Sequence, residues 1–123
     1  MLILKHVKFL FSFMCLVGPT VPRLLTVINA TDNAVTLSWM EPNVSNGIIT
    51  IYQIQYGLAG GGDQQLVLQN VTSLSYTVTG LMSNTPYRFR VAAATRVGLG
   101  SYTNYTNSYT TGKLLRGSLY FKC

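Results

Sequence analysis

Histidine, cysteine and acidic side chains are nearly missing from this chain. Its 123 residues include one histidine, His6, two cysteines, Cys15 and Cys123, and three acids, Asp32, Glu41 and Asp63. Each shortage removes a chemistry. No Cys/His cluster exists to hold zinc. A serine or cysteine nucleophile lacks the histidine that would take its proton. One glutamate and two scattered aspartates give no support for a carboxylate pair that cleaves glycosidic bonds. No catalytic, cofactor-binding or metal-binding residue is expected, and no cofactor.

Charge is scarce as well, at 10% of residues. The formal net charge of +6 would by itself suggest nucleic acid or an acidic membrane as partner. Position changes that inference. Lys5, Lys8, Lys113, Arg116 and Lys122 lie outside residues 19–112. Inside, Arg23, Arg88, Arg90 and Arg96 face the three acids, so the body carries only +1. A phosphate-tracking surface needs clustered Lys and Arg, so no nucleic-acid partner is expected. Hydrophobic residues make up 48% of the chain, which excludes a disordered composition. The polar surface must be Thr, Asn, Ser and Gln, as is common on secreted and cell-surface domains.

Long apolar runs are also absent, with one partial exception. Lys5 and Lys8 precede the apolar stretch Phe9–Val17. A positive start followed by an apolar run of about 7–15 residues is the layout of a secretory signal. The cleavage region fits it poorly, since a cut after Gly18 leaves bulky Leu16 where a small residue is wanted. A transmembrane helix needs about 20 apolar residues, and Lys5, His6 and Lys8 interrupt this run.

What the middle of the chain does have is alternation. Val35, Leu37 and Trp39 alternate with Thr36, Ser38 and Met40, and Tyr52, Ile54 and Tyr56 with Gln53 and Gln55. Tyr76 and Val78 alternate with Thr77 and Thr79, and Tyr87, Phe89, Val91 and Ala93 with Arg88, Arg90 and Ala92. Period two marks strands with one buried face. Turn chemistry separates the runs at 31–33, 45–47, 60–63, 83–86 and 98–100. Seven strands are predicted, near residues 23–29, 34–40, 50–57, 64–69, 75–79, 86–95 and 102–110. Sheets with one apolar face must pair those faces, so the fold expected is an all-β, antiparallel sandwich. The inward set is Leu25, Val27, Val35, Leu37, Trp39, Tyr52, Ile54, Tyr56, Val78, Leu81, Tyr87, Phe89 and Val91. Each large apolar side chain buried contributes about 1.5–3 kcal/mol, which offsets chain entropy without a disulfide.

In order and spacing, residues 19–112 resemble a fibronectin type III domain, an immunoglobulin-like sandwich. Pro19 and Pro22 precede Leu25 and Val27, as at the family's first strand. Ala34–Trp39 matches the second strand with its core tryptophan, and Gly47–Ile49 followed by Tyr52–Tyr56 matches the third. Leu81 and then Thr85–Ala93 are similar to the tyrosine corner and sixth strand. The resemblance implies that the Tyr87 hydroxyl bonds to backbone near the corner while its ring packs inside, and that Leu81 plugs the core. It also implies a tandem array, as in adhesion receptors and receptor-type tyrosine phosphatases. The loop Arg96–Ser101 stands where some members carry Arg-Gly-Asp, and that tripeptide is absent here.

Four Asn-x-Ser/Thr sequons begin at Asn29, Asn43, Asn70 and Asn104, and surface sequons in secreted chains accept glycans. Asn43 and Asn70 fall in predicted loops and are the better placed, whereas Asn104 falls in a predicted strand. Arg88 and Arg90 share the outward face of the sixth strand, with Arg96 beyond. The plain expectation is a solvated strand face, and the functional one is a small anionic or glycosaminoglycan contact. Tyr102, Tyr105 and Tyr109 are expected to face the core by alternation, with an aromatic contact surface as the alternative.

The tails invite a separate expectation. Phe9–Phe13 can be encoded almost wholly by pyrimidines, and Gly112-Lys113 can be read from a donor-like splice sequence. Residues 1–18 and 113–123 are therefore expected to be either translated intron around one exon, or a signal-like segment and a short unstructured end. The function expected is a non-catalytic extracellular interaction or spacer module of an adhesion protein or receptor. The alternatives are an ectodomain fragment of a receptor phosphatase or kinase, and an intracellular filament-type module. The partners expected are a protein ligand or neighbouring domains, with membrane only through a parent protein.

Overall fold

Alternation is realised strand by strand in the computed structural model, which describes residues 18–62 and 65–110. The tails on which the signal and intron expectations rest lie outside the described residues. The strands are β1 (Arg23–Ala30), β2 (Val35–Met40), β3 (Ile51–Leu58), β4 (Val67–Val71), β5 (Ser75–Val78), β6 (Pro86–Thr95), β7 (Gly98–Leu99) and β8 (Thr106–Tyr109). All pair antiparallel in two sheets, β1-β2-β5 and β4-β3-β6 with β7 and β8 on the far side of β6.

The two sheets close on one core. Val35, Leu37 and Trp39 of β2 face Tyr52 and Ile54 of β3 and Phe89 and Val91 of β6, all buried. Trp39 meets Tyr52 with ring centroids 5.7 Å apart at a tilt of 59°, and Tyr56 lies 6.2 Å from Phe89. Such aromatic geometry adds to the apolar area removed from water. Leu25, Val27 and Tyr56 are half-buried and pack against this cluster. Burial raises the pKa of Tyr52 above the ordinary 10, and the nearby Glu41 charge adds to the rise. Burial does the same to Tyr56, with smaller contributions from Tyr76 and Tyr87.

At the corner before β6, the Met82 N–H donates to the Tyr87 hydroxyl at 2.9 Å while the tyrosine ring is buried. Leu81 is buried beneath it, and its N–H donates to the Asn33 carbonyl at 2.9 Å. Gly80 takes φ +74, which a residue with a Cβ adopts at a cost, and so admits the turn that delivers Leu81. Thr110 closes the same corner. It is buried, donates through its hydroxyl to the Met82 carbonyl and accepts from Thr85 N–H at 3.1 Å.

Three boundaries differ from the sequence reading. The final strand, predicted over 102–110, pairs only over Thr106–Tyr109. A two-residue strand, β7, forms within the predicted 98–100 turn. Between them Val91 N–H donates to the Thr103 hydroxyl at 3.1 Å rather than to a main-chain carbonyl, which interrupts the ladder. Asn70 stands in β4 rather than in a loop, and Asn104 stands outside any strand.

A cation–aromatic ladder on the outer sheet face

On β6, alternate residues Arg88 and Arg90 point away from the core that Tyr87, Phe89 and Val91 fill. Both guanidinium groups meet tyrosine rings there. The Arg88 Cζ lies 4.4 Å from the Tyr105 ring centroid. The Arg90 Cζ lies 4.5 Å from Tyr105 and 4.6 Å from Tyr102. Arg90 thus sits against two rings at once, and the order along the face is Arg88, Tyr105, Arg90, Tyr102. A cation over an aromatic face gains about 0.5–1 kcal/mol when exposed and about 2 when desolvated.

Amide side chains extend this ladder across the sheet. Arg90 Nε donates to Gln55 Oε1 at 2.5 Å, and the Tyr102 hydroxyl donates to Gln53 Oε1. Gln53 Nε2 in turn donates to Asn70 Oδ1 at 3.1 Å on β4. At the other end Arg88 donates to the Gly61 carbonyl at 3.0 Å. Burial raises the pKa of the Tyr102 hydroxyl, the Arg90 charge opposes that rise, and Tyr105 adds to it. The face therefore offers aromatic rings and already oriented amides for noncovalent contact. Among the described residues no three His, Cys, Asp or Glu side chains gather to hold a metal ion.

The structure sorts the residues singled out from sequence. It brings Arg88 and Arg90 together, half-buried beneath tyrosines, instead of leaving a bare solvated strand face. It separates Arg96, which is exposed in the β6–β7 turn and lines an apolar groove with Ile48 and Val97. Tyr102 and Tyr105 do not enter the core, and Tyr109 is 65% exposed. Alternation could not put all three inward, because Tyr102 and Tyr105 are three apart; residues 101–105 are not a regular strand, and Tyr109 takes the exposed face of β8. Trp39, Tyr52, Leu81 and Tyr87 are all buried. Asn29, Asn43, Asn70 and Asn104 are all exposed. Gln53, Gln55 and Thr110 were missed, because an amide or a hydroxyl on a strand carries no spacing signal of its own.

Three strands packed on a larger sheet, with a tyrosine corner and no α-helix among the described residues, define an immunoglobulin-like sandwich module. The chain belongs to the fibronectin type III domain family, which matches it over residues 20–110. It is 41% identical to human Protein sidekick-1 over 85 residues, covering 68% of this chain and 4% of that protein. It is 30% identical over 100 residues to the Drosophila melanogaster cell adhesion molecule Dscam2, covering 78% of this chain and 5% of that one. It is 36% identical over 99 residues to chicken ephrin type-B receptor 3, covering 78% of this chain and 10% of that one. The chain thus spans a small part of the length of each of these relatives. Among solved structures it resembles the FN5 domain of Drosophila Lar, with a TM-score of 0.64 and 28% identity over 76% of this chain and 98% of that one.

Proposed function

We propose that this chain is a non-catalytic interaction and spacer module of a cell-surface adhesion protein or receptor, with its contact face on the β6 side of the outer face of the five-stranded sheet, away from β4. The observation that carries the reading is the ladder itself. Arg88, Tyr105, Arg90 and Tyr102 are stacked in advance, so a partner that docks there orders few side chains. Tyrosine and arginine are also the residue types that dominate binding energy at protein interfaces. The kinship with an adhesion molecule and a receptor supports the extracellular placement.

The test is binding of the chain, made bivalent by fusion to an antibody Fc and secreted from animal cells, to cultured cell surfaces. Arg90→Ala should lower retention at least tenfold while its melting curve still shows a folded domain. Thr77→Ala, on the opposite sheet, should leave retention unchanged. Equal retention of the two variants would reject the ladder as the contact face. A second reading, an ectodomain piece of a receptor kinase, draws on the similarity to ephrin type-B receptor 3. A transcript encoding a membrane span and a kinase domain downstream would decide for it.

A further inference from the structure

A strand at the edge of a sheet presents unpaired N–H and C=O groups, a template for pairing with another chain. Natural sheets blunt such edges with Lys, Pro, bulges or very short strands. The free edges in this fold are β1 and β5 in the smaller sheet, and β4 with β7 and β8 in the larger. β1 is broken by two register shifts, and Leu24 within it takes φ +54. β5 and β8 have four residues each and β7 has two.

β4, with five residues, has no bulge to break it. Its sequence is Val-Leu-Gln-Asn-Val, without charge or proline. It pairs with β3 in unbroken register from Val67 to Val71, and no described strand pairs with its other side. Val67 is 47% exposed and Leu68 54% exposed. This is an uncharged edge in unbroken register with two exposed apolar side chains, the kind that recruits a second strand.

What β4 does carry is a sequon, Asn70-Val71-Thr72. Asn70 is exposed, and its Oδ1 accepts from Gln53 Nε2 at 3.1 Å. That bond holds the carboxamide oxygen toward the sheet and leaves Nδ2, the atom that takes sugar, on the other arm of the amide. Residues two apart share a face of a strand, so Asn70 stands beside Leu68, about 7 Å along the same side. The pattern extends to other edges. Asn29 lies on β1, and Asn104 lies just before β8.

We propose that Asn70 carries an N-linked glycan and that this glycan is the guard that keeps β4 from pairing with β4 of a second copy of the chain. The inference rests on the extracellular placement above, because the donor is a lipid-linked diphosphate oligosaccharide of the secretory pathway. A bond forms between Asn70 Nδ2 and the anomeric carbon of the first sugar. The bond from that carbon to the diphosphate oxygen breaks, the lipid diphosphate leaves with the electron pair, and the one proton that Nδ2 gives up passes to solvent. A branched, strongly hydrated group then stands over Leu68 and fills the space that a second strand would need.

The test uses the whole chain secreted from animal cells. Mass spectrometry of peptides reads occupancy at each sequon, and sedimentation equilibrium reads self-association. Thr72→Ala removes the sequon and leaves Asn70 and its bond to Gln53 in place, while Thr72→Ser keeps the sequon. Wild type and Thr72→Ser should be glycosylated at Asn70 and monomeric. Thr72→Ala should self-associate with a dissociation constant at least tenfold lower, and adding Leu68→Lys should restore the monomer by charge. Enzymatic removal of glycan from the folded wild type should reproduce the Thr72→Ala result without any substitution. A bare Asn70 in protein glycosylated at other sequons overturns this proposal alone. So does a Thr72→Ala protein as monomeric as wild type. Absence of glycan from all four sequons overturns both the proposal and the extracellular placement.

Discussion

Tyr87→Phe removes one oxygen atom from the corner where β6 begins. The ring stays, so the apolar area buried against Leu81 and the core is unchanged. The loss falls on one hydrogen bond, donated by Met82 N–H to the Tyr87 hydroxyl at 2.9 Å. A hydrogen bond contributes about 0.5–1.5 kcal/mol net, and a donor left buried without a partner costs about 1–3 kcal/mol. The Met82 side chain is exposed, so water reaches part of this corner, and the cost lies toward the lower range, about 1–2 kcal/mol. For a domain of this size each kcal/mol lowers Tm by about 4–8 °C, so a fall of about 4–16 °C is expected. Thermal unfolding followed by circular dichroism measures it, with urea titration at fixed temperature as a second route. Tyr109→Phe, at an exposed tyrosine, is the matched control and should not move the curve. A fall below about 2 °C for Tyr87→Phe, less than the smallest of these values gives, would refute the corner as a source of stability.

Three further outcomes follow from the geometry. A Cβ at Gly100 would meet the Pro19 carbonyl oxygen at 2.2 Å, so Gly100→Ala must push the first described residues off the sandwich. It should cost about 1–3 kcal/mol and speed hydrogen exchange at Thr20 N–H, and unchanged exchange there would contradict it. A double-mutant cycle with Arg90→Met and Tyr102→Leu should show a coupling of about 0.5–2 kcal/mol by urea unfolding. Additive losses would mean that the stacked pair contributes nothing. Tyr52, Tyr56 and Tyr102 hold their protons more tightly in the fold than the ordinary value of 10. Their contribution is therefore complete below pH 10 and is lost as pH rises through the ordinary tyrosine value toward the folded one. The urea midpoint should fall above pH 10, and fall less in Tyr102→Phe. A midpoint that stays level or rises would reverse the sign of the argument.

The sandwich was legible because burial imposes period two on a strand with one dry face. Trp39, Ile54, Phe89 and Val91 each sit two residues from another inward side chain, and the structure buries them all. The ladder was not legible for a related reason. Tyr102 and Tyr105 are three apart, so in a regular strand they point to opposite faces. Both reach Arg90 only because the chain leaves the ladder at Thr103, where a hydroxyl replaces a main-chain acceptor. Period counting has no means to foresee that exchange. The odd spacing was the available signal: two tyrosines three apart, opposite an Arg-x-Arg pair, require an irregular segment if both are to stack on it. Thr110 was hidden differently. A single threonine at the end of a strand reads as surface, and only the fold shows that its hydroxyl closes the corner that Tyr87 opens.

The two ends of the body are fastened in unlike ways. At one, Thr20 shares three hydrogen bonds with Val44, two donated to its carbonyl and one from its N–H to the Thr20 hydroxyl, and Asn46 Nδ2 donates to the Gly18 carbonyl at 2.9 Å, all near the surface. At the other, Thr110 is buried and bonded both to Thr85 and to Met82. These anchor points stand at opposite ends of the ten-residue β6, about 33 Å apart at the usual rise per residue. A stretching force carried along the polypeptide therefore loads a weak latch and a strong one in series. The bonds at Thr20 are open to water and those at Thr110 are not, so under load the first latch is expected to yield before the second and let out a few residues of slack, a spring washer before a link.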